Sequence, residues 1–83
     1  MSKLLLHIQV PAAHHEFDFW VPQGISVHVA TRLIASIIEE QAPAFFSDGS
    51  QVALYRVDDG SLIDPNQRIY ELHLGNGSYL YCF

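Results

Sequence analysis

Five histidines and one cysteine are the side chains of this sequence best suited to ligate a metal or to act as a nucleophile. His14 and His15 are adjacent, and neighbouring side chains of an extended chain point apart, which makes shared coordination of one metal awkward. His7 and His73 could join them only through tertiary contacts, and the sequence has neither a HExxH spacing nor a cysteine pair. We therefore expect no metal site and no cofactor.

Catalytic side chains are also not indicated. Cys82 lies two positions after Leu80 and therefore shares its side of the predicted last strand. This predicts an inward-facing position, where burial disfavours the thiolate that a nucleophile needs. Asp58, Asp59 and Asp64 lack the ligand loop of a calcium site, and Asp-Asp-Gly is a common turn. No other carboxylate spacing pairs a general acid with a base. We expect a protein that is not an enzyme.

Length and charge narrow the function further. At 83 residues the chain is one domain spanning 1–83, because a second hydrophobic core would not fit. Its net charge is −5, and its four basic residues are scattered, which argues against nucleic acid and anionic membranes as partners. The apolar run Leu4 to Leu6 is too short for a signal peptide or a membrane span. We expect a cytoplasmic protein without membrane insertion.

Two alternating runs at the start of the sequence predict a hairpin. Residues Leu4 to Val10 and Glu16 to Val21 place apolar side chains at every second position, as half-buried strands do. Only Pro11 to His15 lies between them, which predicts an antiparallel pair. From Ser26, a typical N-cap, the apolar spacing becomes helical. The apolar face of the expected helix comprises Val29, Ala30, Leu33, Ile34, Ile37 and Ile38.

The second half of the sequence predicts short strands and turns. We expect a third strand over Gln51 to Val57, a short fourth over Ser61 to Ile63, a helical turn over Arg68 to Leu72 and a last strand over Ser78 to Phe83. This order predicts an α+β fold in which one helix packs on one face of a mixed sheet of four to five strands, with the first and last strands adjacent. The expected core has a helix side and a strand side that pack against each other. The helix contributes Val29, Leu33, Ile34 and Ile37. The strands contribute Leu4, Leu6, Ile8, Phe17, Phe19, Val52, Leu54, Leu62, Leu80 and Cys82.

The order of elements resembles the ubiquitin-like β-grasp fold over essentially the whole chain. Two segments carry the resemblance. Val21 to Val27 resembles a strand end and capped helix entry. Leu54 to Leu62, followed by Asp64 and then Gly77 to Cys82, is similar to ubiquitin's third strand, short strand, aspartate turn and last strand. Within that superfamily the chain most resembles the free-standing YukD/EsaB type of bacterial type VII secretion. Conjugated members and sulfur carriers end in Gly-Gly, whereas this sequence ends in Tyr81-Cys82-Phe83, so the resemblance implies a non-conjugated protein.

Aromatic side chains on the last strands indicate a binding surface. If Leu54 and Leu80 face the helix, the neighbouring aromatic residues emerge on the opposite face of the sheet. The resemblance places partner contacts there, and the predicted protein-binding residues are Tyr55, Tyr81, Phe83, Tyr79 and His7. Aromatic residues give large contact areas at low entropic cost. Cross-strand aromatic pairs also stabilise sheets without binding anything, and that alternative stays open.

The sequence therefore predicts a non-catalytic, non-conjugated ubiquitin-like adaptor or regulator. The resemblance implies an accessory of a type VII (ESX/Yuk-like) secretion system, with a protein partner such as a secretion ATPase or a membrane component. Two alternatives remain. One is a sulfur-carrier or modifier-like substrate of an activating enzyme, which the missing Gly-Gly disfavours. The other is a homodimeric structural module, for which Trp20 is a candidate anchor.

Overall fold

A computed structural model describes residues 2–11, 14–41 and 52–82 of the chain. The elements are β1 (Lys3–Val10), β2 (His15–Pro22), α1 (Val27–Gln41), β3 (Leu54–Arg56), a 3-10 helix (Ile69–Leu72) and β4 (Ser78–Cys82). The predicted start of the third strand at Gln51 and the predicted end of the last strand at Phe83 lie outside the described residues. Among the described residues, no helix has the length and apolar character needed to cross a membrane.

The strands form one mixed sheet in the order β2-β1-β4-β3. β1 pairs antiparallel with β2 and parallel with β4, and β3 pairs antiparallel with β4. The predicted central pairing of the first and last strands is therefore confirmed. The short strand expected over Ser61 to Ile63 is reduced to an isolated bridge between Tyr55 and Leu62, so the sheet has four strands.

A turn before β4 sets the parallel register of β4 and β1. The Leu5 amide donates to the Asn76 side-chain oxygen at 2.9 Å, and the Gly77 amide donates to the Leu5 carbonyl at 2.9 Å. Gly77 has a φ of 86°, which glycine adopts without the steric cost of a Cβ. These bonds bring the start of β4 beside the middle of β1, where His7 pairs with Tyr79.

The start of α1 is capped and tied to the loop before the 3-10 helix. The Ser26 hydroxyl accepts a hydrogen bond from the Val29 amide at 3.2 Å, which confirms the predicted N-cap. The Val27 amide donates to the Gln67 carbonyl at 2.8 Å, and the Arg68 guanidinium donates to the Gly24 carbonyl at 2.6 Å. The N-terminal end of the helix is thereby held at one place over the sheet.

The helix packs through a stripe that includes only half of the predicted apolar face, since Ala30, Ile34 and Ile38 are buried as expected. Its buried residues are Val27, Ala30, Thr31, Ile34 and Ile38. Val29, Leu33 and Ile37, which we expected in the core, are 43%, 53% and 39% exposed. The apolar positions cover more of the helix circumference than the sheet can contact. At about 100° per residue, these three lie roughly 80° to 160° around the helix from the centre of the buried stripe.

The sheet contributes most of the remaining core. Phe17 and Phe19 are half-buried and pack against it, as expected. The expectation for Leu62 is wrong, because Leu62 is exposed and Ile63 is buried in its place. One bridge does not impose the alternation of a full strand, and a shift of one residue reverses the face that a side chain occupies. The buried apolar residues outside α1 are Leu4, Leu6, Ile8, Val10, Val21, Leu54, Ile63, Ile69, Leu72, Leu80 and Cys82.

Candidate protein-binding face

The face of the sheet opposite α1 holds four of the five predicted binding residues. Ile8, Leu54 and Leu80 are buried on the helix side, so the alternating positions next to them point outward. The aromatic band, as we name this group, consists of His7 on β1, Tyr79 and Tyr81 on β4 and Tyr55 on β3. The fifth predicted residue, Phe83, lies outside the described residues.

Two cross-strand pairs make up the aromatic band. The His7 and Tyr79 rings stack, with 4.8 Å between their centroids and an interplanar angle of 27°. Tyr55 and Tyr81 lie opposite one another in the register of β3 and β4, and both are half-buried. Tyr79 is the most accessible member at 48% exposure. The two pairs place aromatic side chains on three neighbouring strands of one sheet face.

Polar side chains pair across β1 and β2 on the same face of the sheet. The His7 Nδ1 is in close contact with an Asp18 carboxylate oxygen, across a pair of residues that lie opposite in the hairpin. The side-chain amide of Gln9 (Nε2) donates a hydrogen bond to the Glu16 carboxylate at 3.2 Å. The contact with Asp18 fixes the orientation of the imidazole that stacks on Tyr79. The face therefore changes from acidic and polar at Glu16 and Asp18 of β2 to aromatic at β4 and β3. Trp20, the predicted candidate for a dimer anchor, lies further along β2 on the same face, opposite Leu5, and is 60% exposed.

His7, Glu16 and Asp18 form the one group among the described residues that could offer three ligand atoms to a metal, since those atoms lie within 4.8 Å of one another. Sequence reasoning missed this group because it sought partners for His7 among the other histidines. The register of the hairpin, which pairs His7 with Asp18, was the signal that could have found it. The hydrogen bonds to His7 and Gln9 account for the cluster as cross-strand polar pairs. The expectation of no metal stays a prediction.

Cys82 lies on the inner face of β4 and is buried, which confirms the predicted orientation. Burial raises the pKa of its thiol to about 11, from an ordinary value of 9.0. The thiolate fraction at pH 8 is then roughly a hundredfold lower than that of an exposed cysteine.

We expect the Cys82 thiol to resist thiol–disulfide exchange in the native protein, because the side chain is both inaccessible and protonated. Reaction with an aromatic disulfide reagent at pH 8 should be at least tenfold slower in buffer than in denaturing urea. Equal rates in the two conditions would show that the thiol is exposed.

Asp58, Asp59 and Asp64 serve the turns, as the sequence predicts. The Asp59 carboxylate accepts hydrogen bonds from the Ser61 hydroxyl at 2.7 Å and the Ser61 amide at 2.9 Å. The Asp64 carboxylate accepts a hydrogen bond from the Asn66 backbone amide at 2.9 Å. The bond from the Ser61 hydroxyl is the main reason that the pKa of Asp59 is lowered. These carboxylates shape loops and do not converge on a shared site.

Comparison with solved structures places this architecture among ubiquitin-like domains. The ubiquitin-like domain of EccD5 from Mycobacterium xenopi is 16% identical with a TM-score of 0.75, over 100% of this chain and 94% of that one. The ubiquitin-like domain of the Mycobacterium tuberculosis type VII secretion protein EccD1 is 15% identical with a TM-score of 0.69, over 99% and 98%. A chain of the MycP5-free ESX-5 inner membrane complex is 16% identical with a TM-score of 0.74, over 100% of this chain and 21% of that one.

No protein-family model and no curated protein sequence matches the chain. The structural likeness extends along almost the whole chain, at identities that establish the fold alone. The four-stranded mixed sheet with one helix on one face is the ubiquitin-like β-grasp fold.

Proposed function

We propose that this protein is a non-catalytic, ubiquitin-like adaptor or regulator that binds a partner protein through the aromatic band. The observation that supports the proposal is the presence of two aromatic cross-strand pairs on the sheet face that α1 leaves uncovered. The protein acts in the cytoplasm and is not itself attached covalently to its partner.

The physical argument concerns contact area and rigidity. Aromatic rings bury a large apolar surface on binding while losing few rotatable bonds. The stack of His7 on Tyr79 and the contact of His7 with Asp18 hold the accessible part of the band in place before binding. A partner therefore gains contact area without a further entropic cost for ordering these side chains.

The proposed setting is a type VII secretion system, with a secretion ATPase or a membrane component as partner. Three similar solved structures support this setting: the EccD5 and EccD1 ubiquitin-like domains and the chain of the ESX-5 inner membrane complex. The resemblance of the sequence to YukD/EsaB proteins points to the same system. The docking of a small β-grasp domain onto a larger secretion protein would use the open face of the sheet.

A capture experiment with matched variants tests the proposal. We expect wild-type protein to recover a secretion ATPase or membrane component from host lysate, and the double variant His7→Ala/Tyr79→Ala to recover at least tenfold less. Truncation of a central aromatic contact typically weakens binding by about 2 kcal/mol, or roughly thirtyfold. Quantitative mass spectrometry of the captured proteins measures the ratio.

Tyr70→Ala is the matched control, because Tyr70 is an exposed tyrosine on the 3-10 helix and not on the aromatic band. It should recover as much partner as wild type does, and circular dichroism should show all proteins folded. Equal recovery by the double variant and by wild type would remove the band as the binding surface. Specific recovery of a partner unrelated to secretion would leave binding intact and overturn the type VII setting.

A further inference from the structure

A cleft lies between the first half of α1 and the segment that follows β3. Its volume is about 400 Å³, and the residues that line it include Val27, Leu54 and Ile63, which are buried in the core and form its floor. Ligand sites in proteins are commonly clefts of about this size that are lined mainly by apolar side chains. We name this feature the α1–β3 cleft.

Backbone hydrogen bonds hold the walls of the cleft together. The His28 amide donates to the Pro65 carbonyl at 3.0 Å, which joins the helix to the loop. The Ile63 amide donates to the Leu54 carbonyl at 3.0 Å, which joins the same loop to β3. A ligand would therefore enter a cleft whose walls are already in place, without an entropic cost for ordering them.

Two basic side chains stand on the helix wall of the cleft. His28 and Arg32 are four residues apart, so they share one flank of α1, and both are exposed. Neither side chain has a hydrogen-bond or ion-pair partner within the described part of the chain. The guanidinium groups of Arg56 and Arg68, in contrast, donate to backbone carbonyls. Arg32 is therefore a cation that is available to a ligand.

The acidic side chains nearest to the cleft do not pair with this rim. Asp64 precedes Pro65 in the loop, but its carboxylate accepts a hydrogen bond from the Asn66 amide within its own turn. Glu39 shares the flank of Arg32 but lies seven residues, or about 10 Å, further along the helix axis. In a chain of net charge −5, the cleft thus joins an apolar floor to a local positive charge.

We propose that the α1–β3 cleft binds a short segment of a partner protein in which a large aliphatic side chain lies beside an aspartate or a glutamate. The aliphatic side chain would cover the floor at Leu54 and Ile63, and the carboxylate would pair with the Arg32 guanidinium. The cleft lies on the helix side of the sheet, away from the aromatic band. Either proposal can therefore fail without the other.

Other occupants fit the cleft less well. A nucleic acid would need a longer basic track than His28 and Arg32 provide. A long acyl chain would need a deeper cavity, because the cleft opens between the exposed residues His28 and Pro65 and most of the chain would stay in water. A segment of protein satisfies the cleft with one aliphatic side chain and one carboxylate.

Titration of the isotope-labelled protein with a synthetic peptide tests the proposal by amide chemical shifts. The probe is a capped peptide in which leucines alternate with glutamates between serine ends. We expect the largest shifts in the first half of α1, in β3 and at Ile63. Arg32→Glu should bind this peptide at least tenfold more weakly than wild type does. Lys3→Glu is the matched control, because it makes the same change of charge at an exposed residue of β1 that does not line the cleft.

Exchanged charges and the oligomeric state complete the test. The same peptide with lysines in place of the glutamates should bind wild type at least tenfold more weakly, and should bind Arg32→Glu better than wild type. Absence of binding at millimolar peptide, shifts confined to the aromatic band, or equal affinity of wild type and Arg32→Glu would overturn the proposal. A doubled mass in sedimentation that Arg32→Glu abolishes would instead assign the cleft to a second copy of the chain.

Discussion

Ile34→Ala is expected to lower the free energy of unfolding by about 2–4 kcal/mol, whereas Ile37→Ala should lower it by less than about 1 kcal/mol. Ile34 is buried between α1 and the sheet, so truncation leaves a cavity in the core. Ile37 is on the same helix but 39% exposed, and its truncation removes little buried area. The two substitutions make the same chemical change at positions that a helical pattern alone does not distinguish.

Urea unfolding followed by circular dichroism measures the free energy of unfolding of wild type and of both variants. The dependence of that free energy on urea concentration should be similar for all three, which checks that unfolding is two-state. In a domain of 83 residues, the loss expected for Ile34→Ala reaches up to about half of the total free energy of unfolding. Equal losses for the two variants would mean that Ile37 is packed in the core, contrary to its 39% exposure.

Cys82→Asp is expected to destabilise the protein by about 3 kcal/mol or more at pH 7, because it places a carboxylate at a buried position between strands and helix. The burial that raises the pKa of the Cys82 thiol would also raise the pKa of the new carboxyl above its unfolded value. Such a group is neutral in both states at low pH. Stability is therefore highest below the unfolded pKa and is lost as the pH rises from there toward the folded pKa.

Cys82→Asn is the matched control, since the asparagine side chain has nearly the same shape as aspartate and does not titrate. We expect the difference in unfolding free energy between the Asp and Asn variants to be small near pH 4 and to grow toward pH 7, with the Asp variant the less stable. Urea unfolding of both variants across that range measures it. A difference that is constant with pH would show that the inner face of β4 at this position admits water.

The alternating runs of the sequence were enough to predict both strands of the hairpin and the inward side of β4, and the order of the elements predicted the mixed sheet. Leu80 and Cys82 are buried and Tyr79 and Tyr81 turn outward, because a strand leaves only two choices of face and the apolar residues select one. The N-cap at Ser26 was predicted for a similarly local reason, since its hydroxyl bonds an amide three residues away.

The candidate site was predicted in part. The aromatic band follows from strand alternation once the inward face is known, and four of its predicted members share one face. The contact between His7 and Asp18 depends on the register of β1 with β2, which pairs residues eleven positions apart. Alternation shows which side of a strand a residue occupies and says nothing of the residue that lies across from it.

The sequence by itself thus determined the hairpin, the helix, the last strand, their order and the two faces of the sheet, because these depend on local periodicity and turn chemistry. The tertiary structure decided which stripe of α1 is buried, since Val29, Leu33 and Ile37 match the helical period as well as Val27, Ile34 and Ile38 do. It also decided that Ile63, and not Leu62, enters the core. The physical reason is the same in both cases: a pattern shows that apolar side chains share a face, while the width and position of the opposing surface decide which of them that surface covers.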